Sequence, residues 1–519
     1  MAEHKVLITT SGIGSRLGKL TQYTNKSLVR VGDKPPISYI VEKYSEDIEF
    51  VITLGHFGQY IKQYLELVYP NRNFTFVEID NYRDAGSSLG YSIGKAKQHL
   101  QCPFIFHVCD TILNQEDTVP DVKHNWAAAA PSDDASQYRQ YRTLTTSGGV
   151  IDRFNEKGEM NFDYAYIGLC GIKDYKKFWE ILDRRLAEDP ENSSLSDVHI
   201  IDEMNKENPF KIVKFDGWLD VGNITTFKMS NEKLKSSYHV LHKMDESIYF
   251  VDDAVVKFFN DPKINSNRVE RAKSLYPMVP KIISSSENYY LYEKAEGRLF
   301  SECVTAATFR DFLSWAKASL WKEKNISNFN KLCEDFYINK TKSRIIKYLG
   351  DKKDITSLIN GQEIPPAFKL LSSINTSWLC DGKPSQFHGD FILDNIIKTE
   401  DGFCLIDWRQ DFAGNLEVGD VYYDLAKLNH NLTINHGIIE RELFNHKPDR
   451  CHVLCSSTLI ECQNILHEFI LNEGYDLQKV KVLTALIWLN MSPLHDYPFG
   501  DFLFNFGKYN LAKHLGACE

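Results

Sequence analysis

The stretch from Phe387 to Phe412, FHGDFILDNIIKTEDGFCLIDWRQDF, carries the most specific chemistry in the chain. His388-Gly389-Asp390 is followed five residues after the aspartate by Asn395. The apolar run Phe403-Cys404-Leu405-Ile406 then ends in Asp407 and reads as a short buried strand. This spacing suits phosphoryl transfer. One carboxylate accepts the proton of an attacking hydroxyl, while an amide and a second carboxylate hold Mg²⁺ on the phosphates. Asp390, Asn395 and Asp407 can fill those roles in that order.

A second set of polar residues sits near the N-terminus. Lys5–Thr10, KVLITT, reads as a buried strand opening onto Ser11-Gly12-Ile13-Gly14-Ser15-Arg16. Glycines there let backbone N–H groups approach a phosphate, and Arg16 adds a charged fork. Lys26 follows, then Pro35-Pro36 starting a helix. Strands at 50–54, 74–79 and 104–109 alternate with helices at 60–68 and 89–100. That rhythm predicts a doubly wound, mainly parallel α/β sheet whose ligands bind at the carboxyl ends of the strands. The Ser11–Arg16 loop and Asp110 both sit at such ends.

Both sets resemble known families. SGIGSRLGKLT with NKSLVRVGDKP, GSSLGYSI, the strand ending in Asp110, YAYIGLCGI (164–172) and GWLDVGN (217–223) resemble the sugar-phosphate nucleotidyltransferases. CTP:phosphocholine cytidylyltransferases are among the relatives of that GT-A-like group. The resemblance implies that Gly12, Gly14, Ser15 and Arg16 cradle a nucleoside triphosphate and that Lys26 neutralises its α-phosphate. It implies Mg²⁺ on Asp110 and Asp220, the base near Gly86, Ser87 and Ser88, and the acceptor's phosphate near Lys157. Two positions depart from the family pattern: Ile8-Thr9-Thr10-Ser11 stands for the usual Leu-Ala-Ala entry, and Asn25 for the usual proline before the signature lysine.

HGDxxxxN followed by IDW resembles the aminoglycoside phosphotransferase and choline kinase superfamily, a two-lobed protein-kinase-like α+β fold. Lys257, mid-strand in AVVKFF, would then meet ATP phosphate, with Glu270 as its helix partner. Backbone groups near Glu293 and Ala295 would hold the adenine, although no glycine-rich loop precedes Lys257. GDVYYDLA (419–426) resembles a further family element, in which Asp420 and Asp424 read as caps and loop anchors. Trp408, Tyr422, Tyr423, Trp488 and Tyr497 could line an acceptor site, including an aromatic cage for a quaternary ammonium. Core packing is the plainer reading of those rings.

At 519 residues the chain is too long for one core. The expected domains are 1–235, nucleotidyltransferase-like, and 245–519, kinase-like, with a small lobe near 245–297 and a large one near 298–519. A net charge of −10 argues against non-specific nucleic-acid binding. No apolar stretch is long enough to span a membrane. Eleven cysteines without a framework fit reduced core thiols and a cytoplasmic location. The expectation is a bifunctional enzyme. A kinase uses ATP to phosphorylate a small alcohol, amino alcohol or sugar, and a nucleotidyltransferase joins that phosphate to an NTP, CTP being favoured. The product would be an activated precursor for a surface polysaccharide or lipid. The rivals are a chain in which only one half acts on this pathway, a UTP- or GTP-dependent sugar pyrophosphorylase with a sugar kinase, and a half that only senses nucleotide. Acceptor, base and oligomeric state, a homo-oligomer included, stay open.

Overall fold

The computed structural model describes residues 4–131, 137–159, 161–236, 245–447 and 450–518. Its contacts divide the chain into two compact units: Met1–Pro262 with Ile283–Tyr292, and Lys263–Ile282 with Glu293–Glu519.

The first unit is built on a nine-stranded sheet. Its strands are β1 (Lys5–Thr9), β2 (Glu49–Leu54), β3 (Asn73–Glu78), β4 (Phe104–Val108), β6 (Trp126–Ala130), β7 (Thr143–Ser147), β8 (Val150–Asn155), β9 (Tyr164–Ile172) and β10 (Lys211–Lys214). They lie in the order β3-β2-β1-β4-β9-β6-β10-β8-β7. The half β3-β2-β1-β4 is parallel throughout. The other half is mixed: β9 runs antiparallel to β4, β6 and β7, while β6 and β10 are parallel. The expected mainly parallel sheet therefore holds only up to β4. Beyond it, β9 enters the sheet antiparallel to its neighbours and β7 and β8 form a hairpin, so the βαβ rhythm ends there.

Burial explains the register. Val6, Leu7 and Ile8 on β1 and Phe50, Val51 and Ile52 on β2 are all fully buried, as continuous apolar strands covered on both faces should be. One face carries Trp179 and Phe178 of the helix Tyr175–Glu188, stacked against Phe104 at 5.4 Å. A short ribbon, β5 (Thr111–Leu113) with β11 (Trp218–Asp220), stands apart from the sheet.

A four-stranded sheet, 246–251, 254–259, 289–293 and 282–285 in that order, follows. Sequence assigned these strands to the second domain. Their apolar face packs on the first unit's core, where Tyr249 and Tyr289 meet Tyr64 at 5.3 and 5.9 Å and Phe258 meets Tyr60 at 4.9 Å. The helix Gly58–Val68 supplies both tyrosines.

The second unit is largely helical, with small antiparallel pairs at 357–359 with 362–364 and at 444–447 with 450–453. Long helices at Leu477–Met491 and Phe499–Leu515 form its centre. A small antiparallel pair, Ile396–Lys398 with Phe403–Leu405, carries the HGD stretch.

β9 and β6 approach so closely that a Cβ on Gly171 would lie 2.2 Å from Nε1 of the fully buried Trp126. Gly171→Ala must displace that ring. It should cost about 1–3 kcal/mol, the usual range for overpacking. A lowered urea midpoint checks this, and an unchanged midpoint would show that β9 yields freely.

Candidate functional site

In the first unit the charged groups gather where β1 and β4 end. Asp110 follows β4 and Asp220 ends β11. The β5/β11 pairing sets Thr111 opposite Asp220, and Val221 N–H donates to the Asp110 carbonyl at 3.0 Å. The two carboxylates are thereby made neighbours. A Cβ on Gly222 would lie 3.0 Å from Asp110 Oδ2, 3.0 Å from Asp220 Oδ1 and 3.2 Å from Arg16 Nη2. Only glycine leaves that space open.

Lys26 Nζ reaches Asp110 Oδ2 at 3.0 Å, and Arg16 Nη2 stands 4.0 Å from the same oxygen. Burial opposes the charge on Lys26, yet Asp110 outweighs it and the lysine's pKa rises. Burial alone would raise Asp110, but Lys26 and then Arg16 hold it below the usual carboxylate range. Among the described residues no cation pairs with Asp220. Burial and then the nearby Asp110 push its pKa up. Tyr141 donates its hydroxyl to Asp220 Oδ2 at 2.5 Å, a contact that no spacing in the sequence announced.

The departure at Asn25 has a clear role. Its side chain is fully buried and donates to the carbonyls of Thr10 and His56 at 2.8 and 2.7 Å. Its Oδ1 accepts from the Ser27 N–H and hydroxyl. These four bonds fix the turn that presents Lys26. Ser11, in the altered entry sequence, bonds Ser92 hydroxyl to hydroxyl at 2.9 Å and ties the loop to α1 (Leu89–Lys95). Gly12, Ser15 and Arg16 are exposed on that loop, with Gly14 left-handed at φ 71°.

Ser88 caps α1 by accepting from Tyr91 N–H at 3.0 Å. Gly86 is left-handed and close to the Pro190 carbonyl, with Ser87 beside it in the same turn. Lys157 is an exposed turn residue after β8. Burial of its ammonium, Arg16 and Arg142 lower its pKa, so it shares the field of the Arg16 site.

Oxygen donors of this kind suit Mg²⁺. The raised Asp220 is a carboxylate that gains from a cation. Among the described residues no group of three His, Cys, Asp or Glu side chains could hold a metal alone. A metal on Asp110 and Asp220 would complete its shell from phosphate and water.

In the second unit the HGD loop is anchored by buried charge. Asp424, on α4 (Val421–Thr433), accepts from the N–H groups of His388 and Gly389 at 2.9 and 2.7 Å. Burial pushes its carboxyl up to about 6. Arg271, on α2 (Pro262–Leu275), is 2% exposed and donates to the carbonyls of Phe387, His388, Arg409 and Leu416. Burial lowers the His388 imidazole to about 4, so it is neutral near pH 7. Its Nε2–H can then donate to the Ile406 carbonyl at 3.0 Å, while Nδ1 accepts from Asp390 N–H. Gly389 is left-handed, and a Cβ there would strike Arg409 Cβ at 2.7 Å.

The strand pair sets Ile396 opposite Leu405, and Ile406 N–H donates to the Asn395 carbonyl, so Asn395 stands close to the start of Asp407. Asn395 Nδ2 donates to the Asp390 carbonyl and to Asp390 Oδ2 at 2.9 and 3.2 Å. Asp407 is itself left-handed at φ 55°, a conformation that concentrates at functional sites. All three candidates converge.

Two cations missed in the sequence join them. Lys427 on α4 pairs with Asp390 Oδ1 at 2.6 Å, and Asp390 raises its pKa against the pull of burial. Arg268 on α2 pairs with Asp407. Any Mg²⁺ held by Asn395 and Asp407 must share or displace that guanidinium. Lys427 lies one turn beyond Asp424 on the same helix, but its partner Asp390 belongs to another segment, so spacing along the helix carries no sign of the pair.

Other expectations fare differently. Trp408 is fully buried and donates Nε1–H to the Arg268 carbonyl at 2.8 Å. It is a core residue, not an acceptor contact, because its single polar atom is already used inside. Tyr422, Tyr423 and Trp488 are also buried, while Tyr497 is 73% exposed, so these rings share no common setting. Asp420 caps α4 and accepts from Tyr337, as a structural anchor should. Lys257 is buried in its strand. Glu270 is exposed and pairs with Lys273 three residues along α2. Its position on an outer face explains why a local lysine answers it. Glu293 ends its strand exposed, with Ala295 half-buried just after.

No protein-family model matches the chain. The bifunctional protein GlmU of Methanocaldococcus jannaschii is 22% identical over 259 residues, which are 48% of this chain and 60% of that protein. The chain thus spans less than two thirds of the curated relative it matches. Among solved structures, CTP:phosphocholine cytidylyltransferase from Streptococcus pneumoniae is 20% identical, with 45% of this chain and 100% of that one covered and a TM-score of 0.36. An inositol-1-phosphate CTP transferase from T. maritima is 15% identical, with 46% and 99% covered and a TM-score of 0.37. The N-terminal half resembles nucleotidyltransferases.

The raised Asp220 gives a prediction with a definite sign. A carboxyl raised in the folded state contributes stability below the ordinary carboxylate range and loses it as pH rises through the raised value. In EDTA near pH 8, Asp220→Asn should melt no lower than the parent chain, and Mg²⁺ should raise its melting temperature less. A lower melting temperature in EDTA would show that the charge itself is stabilising.

Proposed function

We propose that the chain is a bifunctional enzyme. The first unit transfers a nucleotidyl group from an NTP, CTP favoured, to a phosphate ester. The second phosphorylates the hydroxyl compound that becomes that ester. The observation that carries the first half is the convergence of Asp110, Asp220, Lys26 and Arg16 at the carboxyl end of a parallel half-sheet. Such a site can hold a triphosphate and its metal, as the resemblance in sequence also implies.

In the first reaction an ester phosphate oxygen attacks the α-phosphorus. A new P–O bond forms, the α–β bond breaks, and pyrophosphate leaves with the electron pair. Lys26 and Arg16 would stabilise the charge that develops on the α-phosphate oxygens. The attacking oxygen is already anionic, so no side-chain base is needed. Tyr141 keeps Asp220 oriented beside Asp110. When bound, Mg²⁺ supplies charge neutralisation and in-line orientation.

In the second reaction the acceptor oxygen attacks the γ-phosphorus of ATP, and ADP leaves. The hydroxyl proton passes to Asp390. Lys427 and Asn395 hold that carboxylate in place. The neutral His388 keeps the loop attached to the strand that delivers Asp407. Support for this half comes from the assembled Asp390, Asn395 and Asp407 set.

Mass spectrometry on the full chain tests both halves. Asp390→Ala should lose phosphorylation of the free acceptor by about 10²–10⁴-fold, the usual worth of a general base, and still join a supplied ester to the nucleotide. Asp220→Ala should do the reverse. Loss of both activities in either variant, with the fold intact by circular dichroism, would overturn the modular scheme.

A further inference from the structure

A group of cations in the second unit is left over by the reaction just described. Helix α3 (Lys340–Leu349) follows a π-helical turn, Asp335–Asn339, of the kind often found at functional sites. Lys340 Nζ lies 4.0 Å from the centroid of the Phe336 ring, and Arg409 Cζ lies 5.0 Å from the same centroid. Phe336 meets Tyr423 edge to face at 4.8 Å. Tyr423 is one turn before Lys427 on α4, and Lys427 touches Asp390. Arg344 is one turn after Lys340 on α3. A half-buried set of Lys340, Arg344, Arg409 and Lys427 therefore leads to the candidate base.

These charges are poorly balanced from within. Among the described residues no carboxylate lies within ion-pairing distance of Lys340, Arg344 or Arg409. Asp411 acts on Lys340 only from a distance, and Asp390 is already taken by Lys427. Burial, Arg409, Arg344 and Lys427 together pull the Lys340 ammonium well below its usual range. Burial and Arg409 lower Arg344 as well. Half-buried like charges are costly unless an anion answers them.

We infer that the hydroxyl acceptor of the second unit carries its own oxyanion, a carboxylate or a phosphate, held by Lys340, Arg344 and Arg409 while its hydroxyl meets Asp390. This rests on the phosphotransferase reading of Asp390. It names a hydroxy acid or hydroxyalkyl phosphate as the substrate class and disfavours choline, whose cation would face like charge. The transfer balances as before: the acceptor O–P bond forms, the γ-phosphorus–oxygen bond of ATP breaks, and the proton goes to Asp390.

Two arms on the full chain test it. In the first, ³¹P NMR follows Mg·ATP with matched acceptors: glycerol, glycerate and glycerol phosphate; glucose and gluconate; and choline. The anionic members should be used at least about tenfold better, and Arg344→Gln should raise their KM about tenfold or more while leaving the KM for ATP unchanged. Efficient use of glycerol, glucose or choline in preference overturns the inference and leaves the phosphotransferase reading standing, as does a variant that loses ATP instead. Absence of any Asp390-dependent ATP consumption overturns the phosphotransferase reading and the inference with it. The second arm needs no turnover. Sulfate should raise the melting temperature of the parent chain more than that of a Lys340→Gln, Arg344→Gln double variant, and equal shifts overturn the inference.

Discussion

A charge withdrawn from water must be met by an opposite charge or by donors and acceptors that replace the water. Much of the structure around both candidate sites follows from that constraint. In the first unit two carboxylates are brought together, and among the described residues they are answered differently: the cations Lys26 and Arg16 lower Asp110, while Asp220, met by the Tyr141 hydroxyl and the Gly222 N–H, remains raised. In the second unit two fully buried ions, Arg271 and Asp424, serve as fixed points. Arg271 spends its donors on carbonyls, and Asp424 spends its oxygens on the N–H groups of the HGD loop. These ions satisfy the backbone where no regular ladder can. The loop can then keep the left-handed residues Gly389 and Asp407.

The same constraint separates anchoring charges from working charges. Asp420 and Asp424 are enclosed by donors, and a ligand would find no free valence there. Asp110, Asp390 and Asp407 each face a cation instead. An ion pair of that kind can be exchanged for a phosphate–metal contact without leaving a buried group stranded. Asn25 shows how little the backbone cares which residue does the anchoring. Where the resemblance leads one to expect proline, four hydrogen bonds hold the Lys26 turn. A ring fixes such a turn through φ, and an amide fixes it through its partners.

What could be read in the sequence was local. β1 to β4 and the Asp390, Asn395, Asp407 set were legible because periodicity and spacing report on neighbours along the chain, while the strand at 164–172 was legible only through the family resemblance. Asp110 was legible as a strand end and Asp220 through the family resemblance, and the β5/β11 ribbon brings them together. The antiparallel half of the sheet was not, since an apolar strand carries no mark of its partner's direction. Tyr141, Arg268 and Lys427 were missed for a similar reason. Each reaches its carboxylate from a distant segment, and an isolated tyrosine, arginine or lysine carries no signal. Trp408 illustrates the opposite error: an aromatic beside a reactive aspartate invites a ligand, yet its indole is spent on the Arg268 carbonyl.

The two sites make compatible demands on one intermediate. An acceptor that enters the second unit as an anion leaves it with a phosphate added, carrying charge at two places. A nucleotidyltransferase site that receives it must tolerate the triphosphate and a second anion at once. In the first unit Arg16 and Arg142 act on Lys157 as like charges; among the described residues Arg142 pairs with Glu156, Arg16 stands at the edge of Asp110, and Lys157 has no carboxylate within ion-pairing distance. Under the proposed reaction Lys157 would find its counter-charge in the acceptor's phosphate. A cationic acceptor such as choline would gain nothing from the cations of the second unit. In the proposed scheme the charge of the shared intermediate, rather than any single motif, would join the two reactions into one sequence.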